Sequence, residues 1–184
     1  TKNLLELINN YKTPLMPQEK NDQFILISQH EHCLVKKNAN NEQHGLFANA
    51  SFKVGDNIVA FDASKIVDTP NYLTVQISET KHIHLFPEYL QYVNHSCEPN
   101  VLFNTSTMQL ECVSDIQAGD ELCFFYPATE WRMAQQFVCN CGKPNCVGLV
   151  QGAADTSSEI LNKYKLTDFI KSMAAQYKAF LLLF

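Results

Sequence analysis

The part of the sequence best suited to chemistry is a cysteine string, Cys139, Cys141 and Cys146, whose three thiols fall within eight residues. Zinc binds thiolates at about 2.3 Å, and a structural zinc site takes four ligands in a tetrahedron. Gly142 and Pro144 lie inside the string and favour the turn by which one loop wraps an ion. One loop supplies only three thiols, so a fourth ligand must come from the remaining cysteines, which are Cys33, Cys97, Cys112 and Cys123.

Other interpretations of the cysteine string stay open at this point. The thiols could be unligated, two of them could form a redox pair, or the string could hold an iron–sulfur cluster. A catalytic zinc is disfavoured because such sites keep an open position and usually use histidine, and no histidine is near the string. The seven cysteines are odd in number and clustered, which favours metal binding in a reducing compartment over a secreted disulfide framework. No apolar N-terminal run with a basic flank marks a signal peptide, so we expect an intracellular protein, cytoplasmic or nuclear.

A second polar string, Asn94–Asn100, reads N-H-S-C-E-P-N. A single histidine such as His95 is often a hydrogen-bonded core residue, and that is the simplest interpretation of it alone. The string as a whole is too dense in polar groups for a plain strand, because buried polar groups need partners. It therefore predicts a local knot of hydrogen bonds, a ligand site, or both.

The composition limits the kinds of partner. The chain has 184 residues, 46% of them hydrophobic and 18% charged, which suits one domain with a real core and excludes a disordered chain. The formal net charge of −5 disfavours direct nucleic-acid binding, which uses a basic surface, and suits a basic protein or peptide. No segment reaches about 20 consecutive apolar residues, so we expect no membrane span.

The elements that must position these strings are short strands followed by helices. Residues 24–150 carry short β-type runs broken by Gly, Pro and Asn, which predict a mostly β domain. Residues 156–183 carry apolar positions at three- and four-residue spacing, which predict helices. Residues 1–22 combine one apolar patch with two prolines, which indicates a short helix and a linker.

The Asn94–Asn100 string resembles the N-H-S-C-x-P-N signature of SET-domain protein lysine methyltransferases. Gly119–Tyr126 resembles that family's G-E-E-L-x-x-x-Y signature, and the cysteine string resembles its post-SET zinc loop. Together with the opening strand pair, these motifs lie in the family's order within residues 32–150. The tail from Glu130 onward is similar to that of small stand-alone SET proteins of microbes.

The opening strand pair, Gln43–Ala48 followed by Gly55–Ile58, also resembles the family but departs from it in detail. Gln43 stands where the first glycine of a G-x-G motif belongs, and Phe61 stands where a tyrosine is often found. A frequent arginine before the Asn-His pair is absent, and Gln91 is among the residues that stand there. None of these changes removes a group that the chemistry requires.

The resemblance implies a mostly β fold of short strands with a pseudoknot, in which the segment ending at Tyr126 is threaded through a loop near Asn94. Such threading is a rare exception to the rules of chain connection. The implied division of the chain is an N-terminal helical or linker segment at 1–22, a SET domain at 23–130, a post-SET zinc loop at 131–152 and a C-terminal helical segment at 153–184.

The resemblance also implies the chemistry, which is transfer of a methyl group from S-adenosylmethionine to a lysine side chain of a protein or peptide. Tyr126 would be the catalytic tyrosine, and one structural zinc would be held by Cys97, Cys139, Cys141 and Cys146. The implied cofactor-binding residues are His44, Gly45, Leu46, Asn94, His95, Tyr126, Phe137 and Leu149. The residues expected to line the substrate channel are Phe61, Phe103 and Phe125, with Phe124 a further candidate. Phe103 is the best candidate, and core packing is the competing interpretation of each.

Two other functions stay open. The chain could be a catalytically weak SET-like module that binds peptides, which Gln43 favours, whereas Asn94, His95 and Tyr126 favour an enzyme. It could also be a structural protein stapled by zinc, with no cofactor. For the enzyme, a basic histone-like partner suits the acidic chain, and a histone tail, a ribosomal protein and a processed peptide all fit.

Overall fold

The computed structural model describes residues 23–181 of the chain, so the N-terminal segment expected at 1–22 lies outside the described residues. Within this range the chain forms many short strands and, near its end, two α-helices. The strands are β1 (Phe24–Gln29), β2 (Cys33–Asn38), β3 (His44–Ala48), β4 (Asn57–Ala60), β5 (Asp62–Val67), β6 (Thr74–Gln76), β7 (His82–Phe86), β8 (Asn94–His95), β9 (Val101–Asn104), β10 (Gln109–Cys112), β11 (Cys123–Phe124), β12 (Phe137–Val138) and β13 (Leu149–Val150). The helices are α1 (Ser158–Leu161) and α2 (Asp168–Leu181).

Most of the strands are arranged in small antiparallel sheets. Three of these sheets have the strand orders β1-β2-β3, β4-β10-β9 and β5-β7-β6. β12 and β13 form a separate antiparallel pair, whereas β8 and β11 pair in parallel. Turns that need glycine keep the strands short, since Gly55 and Gly119 have φ angles of +96° and +98°, which other residues rarely adopt. The mostly β fold expected from the sequence is confirmed.

The parallel pair of β8 and β11 joins two of the sequence motifs. Cys123 lies opposite Asn94 in this pair, and its backbone N–H donates to Oδ1 of Asn100 at 2.8 Å. Just before β11, the N–H of Leu122 donates to the carbonyl of Leu46 on β3 at 2.7 Å. The segment is therefore bonded both to β3 and to the second polar string, as the threaded arrangement implied by the family resemblance requires.

The described residues form two apolar cores, and strand residues contribute side chains to both of them. The first core contains, among others, Val35, Leu46, Ile58, Phe61, Ile83 and Leu110. The second core contains Leu102, Phe125, Ala128, Trp131, Ala153, Leu161 and Ile170. Successive side chains of a strand point to opposite faces, so β9 sends Phe103 into the first core and Leu102 into the second. The same alternation separates Phe124, in the first core, from Phe125, in the second.

The C-terminal helices pack on the second core. Ser157 caps α1, since its side chain accepts a hydrogen bond from the backbone N–H of Ile160. Just before α2, the N–H of Thr167 donates to the carbonyl of Ala128 at 3.0 Å, and Ile170 of α2 is fully buried. None of the helices between residues 23 and 181 has the length and apolar character needed to cross a membrane.

The chain returns from β13 directly against the segment that follows Tyr126. The N–H groups of Ala153 and Ala154 donate to the carbonyls of Glu130 and Trp131 at 2.8 and 2.9 Å. A Cβ atom at Gly152 would lie 2.4 Å from the carbonyl oxygen of Trp131, so only glycine permits this approach. The loop between β12 and β13 is thereby anchored at its C-terminal end.

Candidate active site and metal centre

Four cysteines come together at one point, with Cys97 joining the cysteine string of Cys139, Cys141 and Cys146. Their Sγ atoms all lie within 4.8 Å of one another, and the Sγ atoms of Cys97 and Cys139 are 3.8 Å apart. A tetrahedral zinc with sulfur ligands at about 2.3 Å has sulfur–sulfur edges of about 3.8 Å. This donor set therefore fits zinc, both in chemistry and in spacing.

The other cysteines considered as a fourth ligand lie elsewhere. Cys33 and Cys112 are buried in the first core, and Cys123 lies on β11 outside the group of four. Of the four candidates, the structure brings Cys97 alone to the string.

Backbone N–H groups at the cysteine cluster point at sulfur. The N–H of Val147 donates to Sγ of Cys97, and the N–H of Cys141 to Sγ of Cys139, both at 3.4 Å. Burial raises the pKa of the Cys97 and Cys139 thiols, and these two donors act against it by stabilising the thiolate, which is the form that binds metal. The loop is closed by the N–H of Cys139, which donates to the carbonyl of Gly148 at 2.7 Å.

The predicted cofactor turn on β3 is held against the second polar string by side chains. Nδ2 of Asn94 donates to the carbonyl of His44 at 2.8 Å and to Oε1 of Glu121 at 2.9 Å. A Cβ atom at Gly45 would lie 2.7 Å from the same Glu121 oxygen. A side chain at position 45 would therefore displace the Glu121 carboxylate that accepts from Asn94. Glu121 is a site residue that the sequence analysis did not single out, although it belongs to the Gly119–Tyr126 motif.

Tyr126 lies in an aromatic enclosure made by three rings. Its ring centroid is 4.6 Å from that of Phe124, 5.2 Å from that of His95 and 6.0 Å from that of Phe137. Burial raises the pKa of the Tyr126 hydroxyl above its usual range and lowers the pKa of His95 to about 4. Near pH 7 both groups are neutral, so the tyrosine presents a hydrogen-bonding hydroxyl in weakly polar surroundings.

The predicted channel residues separate into two groups. Phe103 packs edge-on against Phe61 and Phe124, with ring centroids 5.4 and 5.0 Å apart. Phe125 instead stacks on Tyr164 in the second core, with centroids 3.7 Å apart. Of these phenylalanines, Phe124 has its ring next to that of Tyr126.

The remaining predicted cofactor residues differ in how far their side chains are exposed to solvent. Phe137 and Leu149 lie on β12 and β13 and are 36% and 47% exposed, so their apolar surfaces are open to a ligand. Leu46 is fully buried in the first core, which leaves only its backbone for contact with a ligand. His44 stacks on Tyr92, with ring centroids 5.0 Å apart.

A buried polar clamp fixes the segment that follows Tyr126. The N–H of Gln76 donates to Oε1 of Glu130 at 2.8 Å, and the N–H of Trp131 donates to Oε1 of Gln76 at 2.7 Å. The N–H of Glu130 in turn donates to the carbonyl of Tyr126 at 3.0 Å. This clamp has no periodic signal in the sequence, and the sequence analysis missed it.

The chain is similar to known proteins over this region. The SET domain family matches residues 20–127. The methyltransferase flvH of Aspergillus flavus is 42% identical over 106 residues, which are 56% of this chain and 59% of that protein. The histone-lysine N-methyltransferases, H3 lysine-36 specific, of Aspergillus oryzae and Homo sapiens are 38% and 30% identical over 72 and 112 residues. These two matches cover 36% and 56% of this chain but 7% and 4% of the relatives, so the chain spans less than two-thirds of each of the three proteins.

Proposed function

The chain belongs to the SET-domain family, and on that premise we propose that it transfers methyl groups from S-adenosylmethionine to a lysine side chain of a protein or peptide. The observation that carries the proposal is the enclosure of Tyr126, whose ring lies among those of Phe124, His95 and Phe137 and whose buried hydroxyl stays neutral because burial raises its pKa. The similarity to a protein named as a methyltransferase supports it.

The residues around the β3 turn fit S-adenosylmethionine. Gly45 leaves the backbone free of a side chain, and Asn94 holds the carbonyl of His44 in place. Phe137 and Leu149 offer exposed apolar surface that suits a purine ring. When bound, S-adenosylmethionine supplies an electrophilic methyl group on a sulfonium, and the sulfur leaves as a neutral thioether.

The aromatic enclosure favours a neutral lysine amine. A free lysine has a pKa near 10.4 and arrives charged, but apolar surroundings disfavour the ammonium form. The rings of Phe124 and Phe137 supply such surroundings beside Tyr126. The tyrosine hydroxyl orients the reacting groups, and most of the rate comes from holding amine and methyl at about 3 Å. The proton leaves to water, so no side-chain base is needed.

A structural zinc held by Cys97, Cys139, Cys141 and Cys146 would fix the loop between β12 and β13 to the second polar string. Cys97 follows His95 by two residues, and Phe137 precedes Cys139 by two. The metal would therefore hold His95 and Phe137, two of the three aromatic neighbours of Tyr126, in fixed positions relative to each other. Its role is structural, because all four positions of the tetrahedron are taken by cysteine.

We infer a basic substrate, such as a histone tail. The chain carries a formal net charge of −5, which attracts a basic segment. Several relatives are named as histone-lysine N-methyltransferases, and this supports a lysine in a histone-like sequence. The reduced cysteine cluster fits an intracellular location.

The competing function, a catalytically weak module that binds peptides, rests on Gln43 in place of a glycine. Glu42 has a positive φ of 62°, whereas Gln43 is not among the residues with positive φ. A glycine is therefore not required at position 43 by backbone conformation. This observation favours the enzyme.

The experiment that tests the proposal combines a lysine peptide array with labelled S-adenosylmethionine, followed by mass spectrometry of modified peptides. The array carries basic, neutral and acidic sequences around the lysine. Transfer to basic peptides by the wild type, and its loss in Tyr126→Phe, supports the enzyme. Peptide binding without transfer, when calorimetry detects bound cofactor, supports the module instead. Failure to bind the cofactor would contradict the enzyme.

A further inference from the structure

Tyr164 contacts both halves of the proposed site from outside the region that the SET domain family matches. Its hydroxyl donates to the backbone carbonyl of Cys97 at 2.9 Å. Its ring stacks on the ring of Phe125, with centroids 3.7 Å apart and planes at 9°. Cys97 and Phe125 are both buried, so one side chain holds a residue of the metal site and the neighbour of Tyr126.

The chain around Tyr164 is attached to the β-rich part of the protein. The N–H and Oγ1 of Thr167 donate to the carbonyl of Ala128 at 3.0 and 3.1 Å, in buried surroundings. The neighbouring Lys165 pairs with Glu111 on β10. These contacts hold the backbone of Tyr164 in place, so its hydrogen bond to Cys97 does not depend on a loose loop.

A cavity of about 390 Å³ lies where Tyr164 meets the metal site, and Cys97, Tyr164 and Lys163 are among the residues that line it. The cavity brings solvent to the edge of Cys97. Tyr164 lines this cavity next to Cys97. Removal of the ring would therefore open a wider path for a chelator.

We propose that Tyr164 is a positioning residue that couples the metal site to Tyr126. The proposal rests on the proposed function, because it takes Cys97 as a zinc ligand and Tyr126 as the catalytic residue. The hydroxyl of Tyr164 fixes the carbonyl of Cys97 and with it the direction of the thiolate. The ring of Tyr164 holds Phe125 in place by stacking. Because Tyr126 is the next residue, the position of its Cα atom is held as well.

Ordinary core packing would give Tyr164 a different signature. If Tyr164 only stabilises the second core, its replacement lowers the melting temperature by the same amount with and without zinc. If Tyr164 holds Cys97 against the metal, its replacement lowers the melting temperature of the zinc-loaded protein more than that of the zinc-stripped protein. The dependence on metal therefore separates positioning from packing.

The first measurement is the rate at which zinc is lost to a coloured chelator, well below the melting temperature. Tyr164→Phe keeps the ring stack and removes the hydroxyl, so zinc is expected to leave about two- to tenfold faster, as the loss of one hydrogen bond gives. Tyr164→Leu also removes the stack and is expected to release zinc faster still. Tyr72→Phe is the matched control, since Tyr72 is 86% exposed, and its rate is expected to equal that of the wild type.

The second measurement is steady-state methyl transfer by the zinc-loaded variants. Tyr164→Leu is expected to lower kcat while KM for the cofactor changes by less than roughly twofold, because a displaced Tyr126 affects the reaction more than binding. Unchanged zinc release in both variants, or equal losses of melting temperature with and without zinc, overturns the role of Tyr164 alone. Wild-type protein that holds zinc but transfers no methyl group contradicts the proposed function, and zinc release still tests Tyr164. Wild-type protein that binds no zinc overturns both.

Discussion

The carboxyl group of Glu130 lies 3.8 Å from Nδ1 of His82, and both side chains are buried. Nδ1 of His82 has no hydrogen-bond partner in the described part of the chain. Burial raises the pKa of Glu130 to about 8 and lowers the pKa of His82. Both shifts favour a pair that is neutral near pH 7, and Glu130 follows Tyr126 by four residues.

This pair makes stability depend on pH in a definite direction. Because the pKa of Glu130 rises from 4.5 in the unfolded chain to about 8 on folding, the folded state binds more protons between these values. The stabilisation is present below about pH 4.5 and is lost as pH rises through 8. Between pH 6 and 9 we expect a loss on the order of 3 kcal/mol in the free energy of unfolding, measured by urea denaturation.

Glu130→Gln is the matched variant for this prediction. Glutamine keeps the oxygen that accepts from Gln76 but cannot ionise, so its unfolding free energy should change less between pH 6 and 9. The lowered pKa of His82 acts in the opposite sense, since its contribution to stability grows as pH rises toward 6.5. A pH dependence that is identical in the two proteins would show that Glu130 is not the titrating group.

Tyr126→Phe is expected to lower turnover by about a hundredfold or more, in the range seen when one positioned hydrogen-bonding group is removed from an active site. The ring keeps its contacts with Phe124 and Phe137, so cofactor affinity should change little. Initial rates and calorimetry measure the two effects separately. Tyr72→Phe on the exposed surface serves as the control, and near-normal turnover in Tyr126→Phe would remove this tyrosine from the reaction.

The sequence predicts those parts of the site that depend on the types of ligand residue and on their spacing. The three clustered cysteines require a fourth ligand, and the structure supplies Cys97. The parallel pairing of β8 with β11 joins two motifs that lie far apart in the chain, as the family resemblance implies. In both cases the residue types themselves limit the possible geometry.

The sequence fails where the fold decides which side of the chain a residue faces. β11 is two residues long, too short for alternation to be read from the sequence, and only the structure shows that Phe125 packs in the second core. Tyr164 reads as one apolar position of a helical pattern, yet its hydroxyl contacts Cys97. Nothing in the sequence marks Glu130 as buried, and the structure places it against Gln76 of β6 and His82 of β7.

Phe124→Tyr is expected to shift the product toward monomethyl lysine, because the ring of Phe124 is next to that of Tyr126. An added hydroxyl there would hold a water and restrict rotation of a methylated amine. Phe103 lies one ring farther away, against Phe124, so Phe103→Tyr should shift the product less. Mass spectrometry of a modified peptide gives the distribution. A larger shift from Phe103→Tyr would assign the channel wall to Phe103, and no shift from either variant would place both outside it.

Removal of zinc is expected to abolish methyl transfer and leave the β-rich core folded. The cysteine string lies on the loop between β12 and β13, and Cys139, Cys141 and Cys146 belong to neither apolar core. Loss of the metal frees this loop, and Phe137 at its start then leaves its place beside Tyr126. The zinc in small finger peptides contributes roughly 10–16 kcal/mol of apparent binding free energy, which is ample to hold such a loop.

Metal analysis should find about one zinc per chain, as a four-cysteine site requires. Cys141→Ser, or treatment with a strong chelator, should eliminate transfer with little change in far-ultraviolet circular dichroism. Cys33→Ala is the matched control, because Cys33 lies in the first core and outside the group of four, so zinc content and transfer should persist. Full activity in metal-free protein would refute both the four-cysteine site and its link to Tyr126, whereas global unfolding on zinc removal would refute the independence of the core.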